Sequence, residues 1–352
     1  MNYAPVAAKP AEPVVADGEF CFAVVGLDHG HIFAMTNGLV EAGATLVWVY
    51  DEDSTKVADF LVRYPQARVA SSLEQVLIDP SIVLVASAVK PYLRCELGLL
   101  VMQHGKDYFV DKPGMLKQEE IDKVAQACKT TKQKYVVYFG ERIHVEGAVY
   151  AEKLIREGRL GRVISMTILA PHRLNASSRP SWFFDSDKNG GILTDIGSHQ
   201  IEQFLTFASA KDARILHSAK ANYSNQAHEK FFDWGECSLV ADNKATCYFR
   251  VDWFTPDGLK AWGDGRVFIV GTEGTLEIRK YLDVAVSSEG DHLYLVDKQG
   301  EHKIDATGTV GFEFFGKFIL DCLNRTEEAI KQDHVLLAMH LAIQSEEQAV
   351  CI

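Results

Sequence analysis

Cysteine is scarce in this sequence, and its placement indicates no covalent framework. Seven cysteines are scattered over 352 residues, and none forms a C-x-x-C pair. This pattern argues against a disulfide-stabilised secreted scaffold and against a zinc knuckle. We therefore expect a protein of a reducing, cytoplasmic environment.

Long apolar runs and blocks of basic residues are missing as well. The apolar stretch 82–89 ends after eight residues at Lys90-Pro91, whereas a membrane-spanning helix needs about 20. Acidic residues outnumber basic ones 48 to 36, which gives a net charge of −12, and Lys and Arg never form a block of five. Because this charge repels phosphate groups, we expect neither a membrane nor a nucleic acid among the partners.

The first residues fit no targeting signal. Residues 1–18 hold three prolines and one lysine, without the apolar core of about 7–15 residues that a signal peptide has. We predict that 1–18 is a mobile lead-in to the first domain.

Residues 19–140 alternate apolar strands with helix-length amphipathic segments. The predicted strands are 20–25, 45–50, 82–89, 108–110 and 135–139. These strands are almost continuously apolar, as expected when helices cover both faces of a parallel sheet. The pattern predicts a doubly wound α/β domain over 19–140.

Residues 141–352 show a different, α+β pattern. A helix at 145–157 precedes predicted strands at 163–170, 217–223, 237–240, 245–254, 267–270, 275–278 and 292–296. Turn residues at 242–243 and 271–274 indicate hairpins, so the sheet is expected to be large and mostly antiparallel. Further helices are predicted at 192–207, 311–324 and 333–349.

A glycine-containing loop joins the first predicted strand to a helix. Its sequence is Gly26-Leu-Asp28-His29-Gly30-His31, and Asp51 lies 20 residues further on, at the end of the second strand. Such a loop brings backbone N–H groups to a pyrophosphate, and the carboxylate can accept hydrogen bonds from a ribose diol. This order predicts a Rossmann domain that binds NAD.

NADP is disfavoured, because a 2′-phosphate would meet Asp51, Glu52 and Asp53 with no adjacent arginine. The loop departs from G-x-G-x-x-G, which would place glycines at 28 and 31. An ordinary strand-to-helix turn with a polar cap remains an alternative. The histidines of the loop lack the partners of a metal site, and no metal is predicted.

Two further motifs contain polar side chains that are candidates for catalysis. Lys112 stands in Asp111-Lys-Pro-Gly114, where the following proline keeps it extended and able to project from the strand end. Gly190-Gly191 precedes Asp195 and His199, which are four residues apart. That spacing stacks them on one face of the helix predicted at 192–207.

Together these motifs resemble those of the Gfo/Idh/MocA oxidoreductase family, which includes glucose–fructose oxidoreductase and inositol dehydrogenases. The family's E-K-P motif corresponds to Asp111-Lys112-Pro113, and its G-G-x-x-x-D-x-G-x-H motif is complete. The resemblance spans about residues 19–330. Departures are the glycine loop, Asp at 111, and 141–144 in place of an N-x-R-F-like sequence.

The resemblance implies hydride transfer between nicotinamide and a secondary hydroxyl of a sugar, sugar derivative or cyclitol. His199 would take the hydroxyl proton, Lys112 would hydrogen-bond the reacting oxygen, and Asp195 would orient His199 or a substrate hydroxyl. The residues expected to bind the cofactor are Gly26, Asp28, His29, Gly30, His31, Asp51, Ser87 and Lys112. Family members form dimers and tetramers, so a homodimer or homotetramer is expected.

Four side chains outside these motifs are candidates for substrate contact: Arg142, His172, Arg173 and Trp182. Aromatic faces and fork-like donors suit a polyol. Equally, Trp182 could anchor its loop, and Arg142 could merely neutralise Glu141. Two other functions remain open at this point: a glycoside hydrolase that uses tightly held NAD for transient oxidation, and a non-catalytic sugar or nucleotide sensor.

Overall fold

The computed structural model describes residues 12–352, which form two compact units. The first unit runs to Tyr138 and includes Phe312–Leu336, whereas the second contains Phe139–Gly311 and Leu337–Ile352. The predicted second domain, 141–352, is therefore not continuous, because the chain returns to the first unit over 25 residues near its end.

The first unit contains a six-stranded parallel sheet. Its strands are β1 (Cys21–Val25), β2 (Thr45–Tyr50), β3 (Arg68–Val69), β4 (Ile82–Ser87), β5 (Asp107–Asp111) and β6 (Tyr135–Tyr138). They lie in the order β3-β2-β1-β4-β5-β6, which is the Rossmann order and confirms the predicted fold class. The order reverses between β1 and β4, where ligands bind outside the carboxyl ends of the strands in such sheets.

Helices connect these strands: α1 (His31–Glu41), α2 (Ser54–Arg63), α3 (Leu73–Ile78), α4 (Arg94–Gln103) and α5 (Gln118–Thr131). The side chain of Asp53 accepts a hydrogen bond from the Thr55 N–H and caps α2. Ser72 caps α3 in the same way through the Gln75 N–H. These caps satisfy N–H groups that the first turn of a helix leaves without intrahelical partners.

The second unit contains a nine-stranded sheet and several short helices. Its helices are α6 (Gly140–Ile143), α7 (Glu146–Arg156), α8 (Ser186–Asn189), α9 (Ile192–Asp195) and α10 (Gly197–Phe207). Its strands are β7 (Val163–Pro171), β8 (Ala213–Ala221), β9 (Trp234–Ala241), β10 (Thr246–Asp252), β11 (Arg266–Gly271), β12 (Thr275–Arg279), β13 (His292–Asp297), β14 (Gly300–Asp305) and β15 (Val350–Cys351).

This sheet has the order β14-β13-β12-β11-β7-β10-β9-β8-β15. Its neighbours pair antiparallel except β7 with β10 and β8 with β15, so the predicted large, mostly antiparallel sheet is confirmed. Two helices, α11 (Glu313–Asn324) and α12 (Gln332–Glu347), lie between β14 and β15 in the chain.

Aromatic packing explains why α11 belongs to the first unit. The ring of Phe109 in β5 lies 5.1–6.3 Å from the rings of Phe314, Phe315 and Phe318. A Cβ on Gly38 of α1 would lie 2.3 Å from the Phe315 ring, so α1 needs a residue without a side chain at this position. Sequence periodicity predicts the helix at 311–324 but contains no signal for which sheet it covers.

The end of the predicted mobile lead-in makes hydrogen bonds with the first unit. The Val14 N–H donates to the Ala42 carbonyl at 3.0 Å, and the Gly18 N–H donates to Thr45 Oγ1 at 2.8 Å. Residues 1–11 of the predicted lead-in lie outside the described residues. Over residues 12–352, the helices are too short or too polar to cross a bilayer.

One carboxyl in the second unit, Asp291, is expected to make stability depend on pH. Burial raises the pKa of Asp291 to about 6, although the Gly147 N–H donates to it at 2.7 Å. Between about pH 4 and 6 the folded protein therefore holds a proton that the unfolded chain releases, so stability falls as pH rises through this window. We expect Asp291→Asn to keep the hydrogen bond and to raise the free energy of unfolding at pH 7.5 by about 1–2 kcal/mol.

Urea unfolding of both proteins at pH 4 and pH 7.5 tests this expectation. The gain from Asp291→Asn should be present at pH 7.5 and largely absent at pH 4. An equal difference at the two pH values would contradict the assigned titration.

Candidate active site

The glycine loop after β1 is built around a close approach of two backbones. Gly26 has φ +80°, and a Cβ there would lie 2.8 Å from Cβ of Val89. Its N–H donates to the Tyr50 carbonyl at 2.9 Å, and its own carbonyl accepts from the Ala88 N–H at 3.2 Å. Gly30 is the residue before α1. The loop thus lies across the ends of β1, β2 and β4, at the switch point of the sheet.

Asp51 is held rigidly at the end of β2. Its Oδ2 accepts a hydrogen bond from the Leu27 N–H at 2.7 Å, and its Oδ1 accepts from the Asp53 N–H at 2.8 Å. A carboxylate has about four acceptor positions, so both oxygens keep capacity for a hydroxyl donor.

The unexpected Asp28 has charged and backbone partners. Its Oδ1 lies 2.6 Å from Nζ of Lys56, and its Oδ2 accepts from the Lys90 N–H at 3.2 Å. The negative charge in the loop is therefore compensated. The sequence analysis did not identify Lys56 as the partner of Asp28, because Lys56 lies on α2, 28 residues further along the chain. The position of Lys56 shortly after the acidic stretch 51–53 was the one available signal.

The two loop histidines lie at the Asp111 carboxylate. Nδ1 of His29 is 3.0 Å from Oδ2, and Nδ1 of His31 is 2.8 Å from Oδ1. Burial opposes ionisation of Asp111, but His31, Arg94 and His29 outweigh it and hold its pKa well below the ordinary value. Burial and the neighbouring His31 lower the pKa of His29 to about 4.

Arg94 is the organising residue of this region, and sequence reasoning missed it. It is 2% exposed, and its Nη2 lies 3.1 Å from Asp111 Oδ2. Its Nη1 donates to the carbonyls of Asp111, Lys112 and Pro113, and its Nε donates to the Val89 carbonyl at 2.7 Å. One guanidinium thus binds both the segment after β4 and the Asp-Lys-Pro motif after β5.

His29, His31 and Asp111 also place potential metal-ligand atoms within 4.8 Å of one another. A resident cation would compete with Arg94 for the same carboxylate, and the charge of Lys112 also acts on His29. Because the Arg94 guanidinium already compensates the Asp111 carboxylate, a further cation at these three residues would meet positive charge at short range.

Lys112 is buried, at 6% exposure, immediately after β5. Its N–H donates to Asp111 Oδ1 at 2.8 Å, and the bond to Pro113 is cis. Ser87, at the end of β4, is fully buried, and its Oγ accepts from the Val89 N–H at 3.2 Å. The described contacts of Ser87 therefore stabilise the segment before Lys90.

The predicted continuous helix over 192–207 is wrong in one respect, since Ile196 separates α9 from α10. Asp195 ends α9 and is half-buried, whereas His199 in α10 is 2% exposed. A Cβ on Gly197 would lie 3.2 Å from the Phe249 ring, so β10 packs closely against this break. The His199 ring lies 6.3 Å from that of Phe139.

Arg142 is committed to two carboxylates. Its Nη2 lies 2.6 Å from Glu202 and its Nη1 lies 2.9 Å from Glu152. The arginine is 7% exposed and its ion pairs do not include the adjacent Glu141. The described contacts therefore make Arg142 a structural residue that joins α6, α7 and α10.

Arg173 holds a loop together. Its Nη2 donates to the carbonyls of Pro256, Leu259 and Ala261 at 2.5–3.0 Å. Trp182 is half-buried, and its ring lies 6.2 Å from that of Phe183. Phe183 is the buried anchor of this loop, since its ring lies 5.3 Å from Trp253.

His172 faces a buried acid that the sequence did not single out. Its Nδ1 lies 3.1 Å from the Ala170 carbonyl, and its Nε2 lies 3.6 Å from Oε1 of Glu141. The Trp253 and Trp262 rings lie 5.5 and 4.4 Å from the imidazole. From the sequence, Glu141 reads as a partner of its neighbour Arg142, which conceals this arrangement.

Comparison with known proteins matches each of the two units to a model of the same family. Residues 20–139 match the Gfo/Idh/MocA oxidoreductase family model for an NAD-binding Rossmann fold, and residues 149–277 match the family's C-terminal domain. A crystal structure from Erwinia carotovora atroseptica SCRI1043, described as an oxidoreductase, is 45% identical with a TM-score of 0.92. It covers 95% of this chain and 100% of its own.

Curated relatives are more distant. D-xylose dehydrogenase of Paenarthrobacter nicotinovorans is 24% identical over 42% of this chain and 39% of its own length. The 2,7-anhydro-N-acetylneuraminate hydratase of Mediterraneibacter gnavus is 24% identical over 68% of this chain and 61% of its own. The chain matches less than two thirds of the length of these relatives. The two family matches and the near-complete structural match show that the chain belongs to the Gfo/Idh/MocA oxidoreductase family, with an NAD-binding Rossmann domain.

Proposed function

We propose that the protein is an NAD-dependent oxidoreductase that transfers a hydride between nicotinamide and a secondary hydroxyl of a sugar, sugar derivative or cyclitol. In this proposal Lys112 and His199 handle the hydroxyl proton. The observation that carries it is the buried Lys112 in the NAD-binding unit, fixed beside Asp111 by Arg94 at the carboxyl end of β5.

NAD supplies the hydride acceptor when it is bound. Loop 26–31 would present N–H groups to its pyrophosphate, and Asp51 would accept from its adenosine ribose. Lys112 would donate a hydrogen bond to the reacting oxygen and so stabilise developing alkoxide charge. His199 would take the hydroxyl proton, and Asp195 would orient His199 or a neighbouring substrate hydroxyl.

A polyol fits the aromatic surroundings of His172. Tryptophan rings offer apolar faces to sugar C–H groups, and an imidazole offers hydrogen bonds to hydroxyls. We therefore propose His172 as a substrate contact. Trp182, whose half-buried ring lies 6.2 Å from that of Phe183, is proposed as a second contact. Arg142 and Arg173 act on the substrate only indirectly, since described carboxylates and carbonyls bind their guanidinium groups.

The acidic stretch 51–53 favours NAD over NADP. Lys56 is a nearby cation that the structure adds, and it lies 2.6 Å from Asp28 but 4.0 Å from Asp51. Its charge is thus directed at the loop aspartate rather than at a 2′-phosphate position.

We also propose a homodimer or homotetramer assembled through the antiparallel sheet. Strand β9 alternates buried and half-buried residues, so one face of the sheet remains partly open within the second unit. Light scattering should give a multiple of 39.1 kDa. A single species at the monomer mass would contradict this proposal.

A substrate panel tests the activity. Purified protein is incubated with NAD or NADP and aldoses, ketoses, sugar acids, anhydrosugars and inositols, and nicotinamide absorbance is followed. Turnover with NAD and one chemical group of alcohols is expected. Silence across the panel, with bound nicotinamide released on denaturation and aryl glycosides cleaved, would favour a redox-neutral reaction instead. One relative named as a hydratase gives that alternative a specific basis.

The ion pair in the glycine loop gives a binding prediction. Lys56→Met leaves the Asp28 carboxylate without its partner at 2.6 Å, close to the expected pyrophosphate. The Kd for NAD should rise about tenfold, because like charges then repel at short range. Calorimetric titration measures this Kd, and Asp28→Asn/Lys56→Met should recover most of the affinity. An unchanged Kd in Lys56→Met would contradict the assigned role.

A further inference from the structure

A buried carboxylate of the second unit, Glu141, lies among cationic and titratable side chains. It stands in α6 and is 5% exposed. Its Oε2 accepts a hydrogen bond from Nζ of Lys280 at 2.9 Å, and Lys280 is itself only 2% exposed. An ion pair this deeply buried holds its geometry and loses little of its field to solvent.

The other oxygen of Glu141 faces an imidazole. Among residues 12–352, Oε1 accepts no hydrogen bond, and Nε2 of His172 lies 3.6 Å away. The Ala170 carbonyl accepts from Nδ1 of His172, which turns Nε2 toward the carboxylate. A proton on Nε2 would therefore lie directly opposite a negative charge.

The His199 ring lies 6.3 Å from the ring of Phe139, which precedes Glu141 by two residues, and its charge acts on this carboxylate. Burial favours the protonated form of Glu141, but Lys280, His199 and His172 outweigh it and hold its pKa well below the ordinary value. Glu141 is thus ionised throughout the neutral range and is a poor proton acceptor. The neighbouring cation Arg142 is bound to Glu202 and Glu152, so it does not replace Lys280 as a partner.

We propose that Glu141 is the shared counter-ion of His199 and His172, a positioning residue that stabilises the imidazolium formed when a substrate hydroxyl is oxidised. This inference rests on the proposed function. The hydride leaves carbon for nicotinamide C4, the hydroxyl proton passes to the imidazole of His199, and a carbonyl forms. Glu141 remains ionised and compensates the new positive charge. This role would explain the glutamate in segment 141–144, which departs from the N-x-R-F-like sequence of the family.

The test is histidine NMR titration of the folded protein without substrate. Imidazole Cε1–H signals are recorded in protein with ¹³C-labelled histidine and are assigned by His172→Asn and His199→Asn. In Glu141→Gln, the pKa of both imidazoles should fall by about one unit or more, because the negative charge that acts on both has been removed. The acidic limb of kcat/KM should move to lower pH in the same variant.

Glu141→Asp covers the case in which Glu141→Gln fails to fold with Lys280 unpaired. The shorter side chain keeps the negative charge but places it farther from the imidazoles, so intermediate imidazole pKa values are expected. Imidazole pKa values within about 0.2 unit of native in a folded variant would overturn the counter-ion role. The titration needs no turnover. If the imidazole pKa values stay native-like in a folded Glu141 variant while the native protein reduces NAD, only this inference is rejected. If the pKa values shift but neither the native protein nor a variant reduces NAD, only the proposed function is rejected.

Discussion

Replacing Lys112 with alanine is expected to lower kcat/KM about 10³-fold with NAD and the best alcohol of the panel. The side chain is 6% exposed, and Arg94 holds its backbone carbonyl while Asp111 holds its N–H. Because its backbone is held and its side chain is buried, we expect Lys112 to donate to the developing alkoxide with little reorganisation. Because this interaction strengthens as charge develops, kcat should fall more than KM rises.

Lys106 provides the matched control. It is also buried, at 4% exposure, just before β5, and its Nζ donates to the carbonyls of Asp79 and Ile82 at 2.7 and 2.8 Å. Lys106→Met removes a buried ammonium from the opposite end of the strand, so it should reduce stability but not turnover per folded molecule. Near-native turnover in a folded Lys112→Ala protein would remove Lys112 from the mechanism.

Arg94→Met should cause the largest loss of stability, about 3–5 kcal/mol in the free energy of unfolding. The substitution leaves the Asp111 carboxylate buried without its guanidinium partner at 3.1 Å. It also removes the donor shared by the carbonyls of 111–113, so turnover should fall in the protein that still folds. Urea unfolding at pH 7.5 measures the loss.

Arg63→Met is the control for Arg94, because Arg63 is exposed on α2 of the same unit. Its effect should stay within about 0.5 kcal/mol. Arg94→Lys should recover only part of the stability, since an ammonium cannot reproduce the planar fork that reaches four carbonyls and a carboxylate. If Arg94→Met were as stable as Arg63→Met, the organising role of Arg94 would be wrong.

Local sequence patterns predicted the elements of the fold well because each reflects a local physical constraint. Continuous apolar strands indicated the parallel sheet, and turn residues indicated the antiparallel one. The return of 312–336 to the first unit was missed because the packing of Phe314, Phe315 and Phe318 on Phe109 joins positions about 200 residues apart. Strand β14, with its exposed charged residues, also lacks an apolar signature.

The candidate site could be proposed from the sequence where its residues lie in short motifs, but the side-chain pairs that hold those residues could not. Spacing and residue type identified Asp51, Lys112 and His199 as candidates. No spacing rule connects Arg94 to Asp111, Lys56 to Asp28 or Lys280 to Glu141, since these partners lie on different elements. The sequence also does not reveal the carboxylates that bind Arg142 or the carbonyls that bind Arg173, so their predicted contact with substrate stays a prediction.

Deuterium transfer tests the central claim most directly. The alcohol that the panel identifies is prepared with deuterium on the oxidised carbon and is incubated with the protein and NAD. The account predicts deuterium at C4 of the reduced nicotinamide, one atom for each carbonyl formed. Product formation with no deuterium in the nicotinamide would contradict hydride transfer as the reaction.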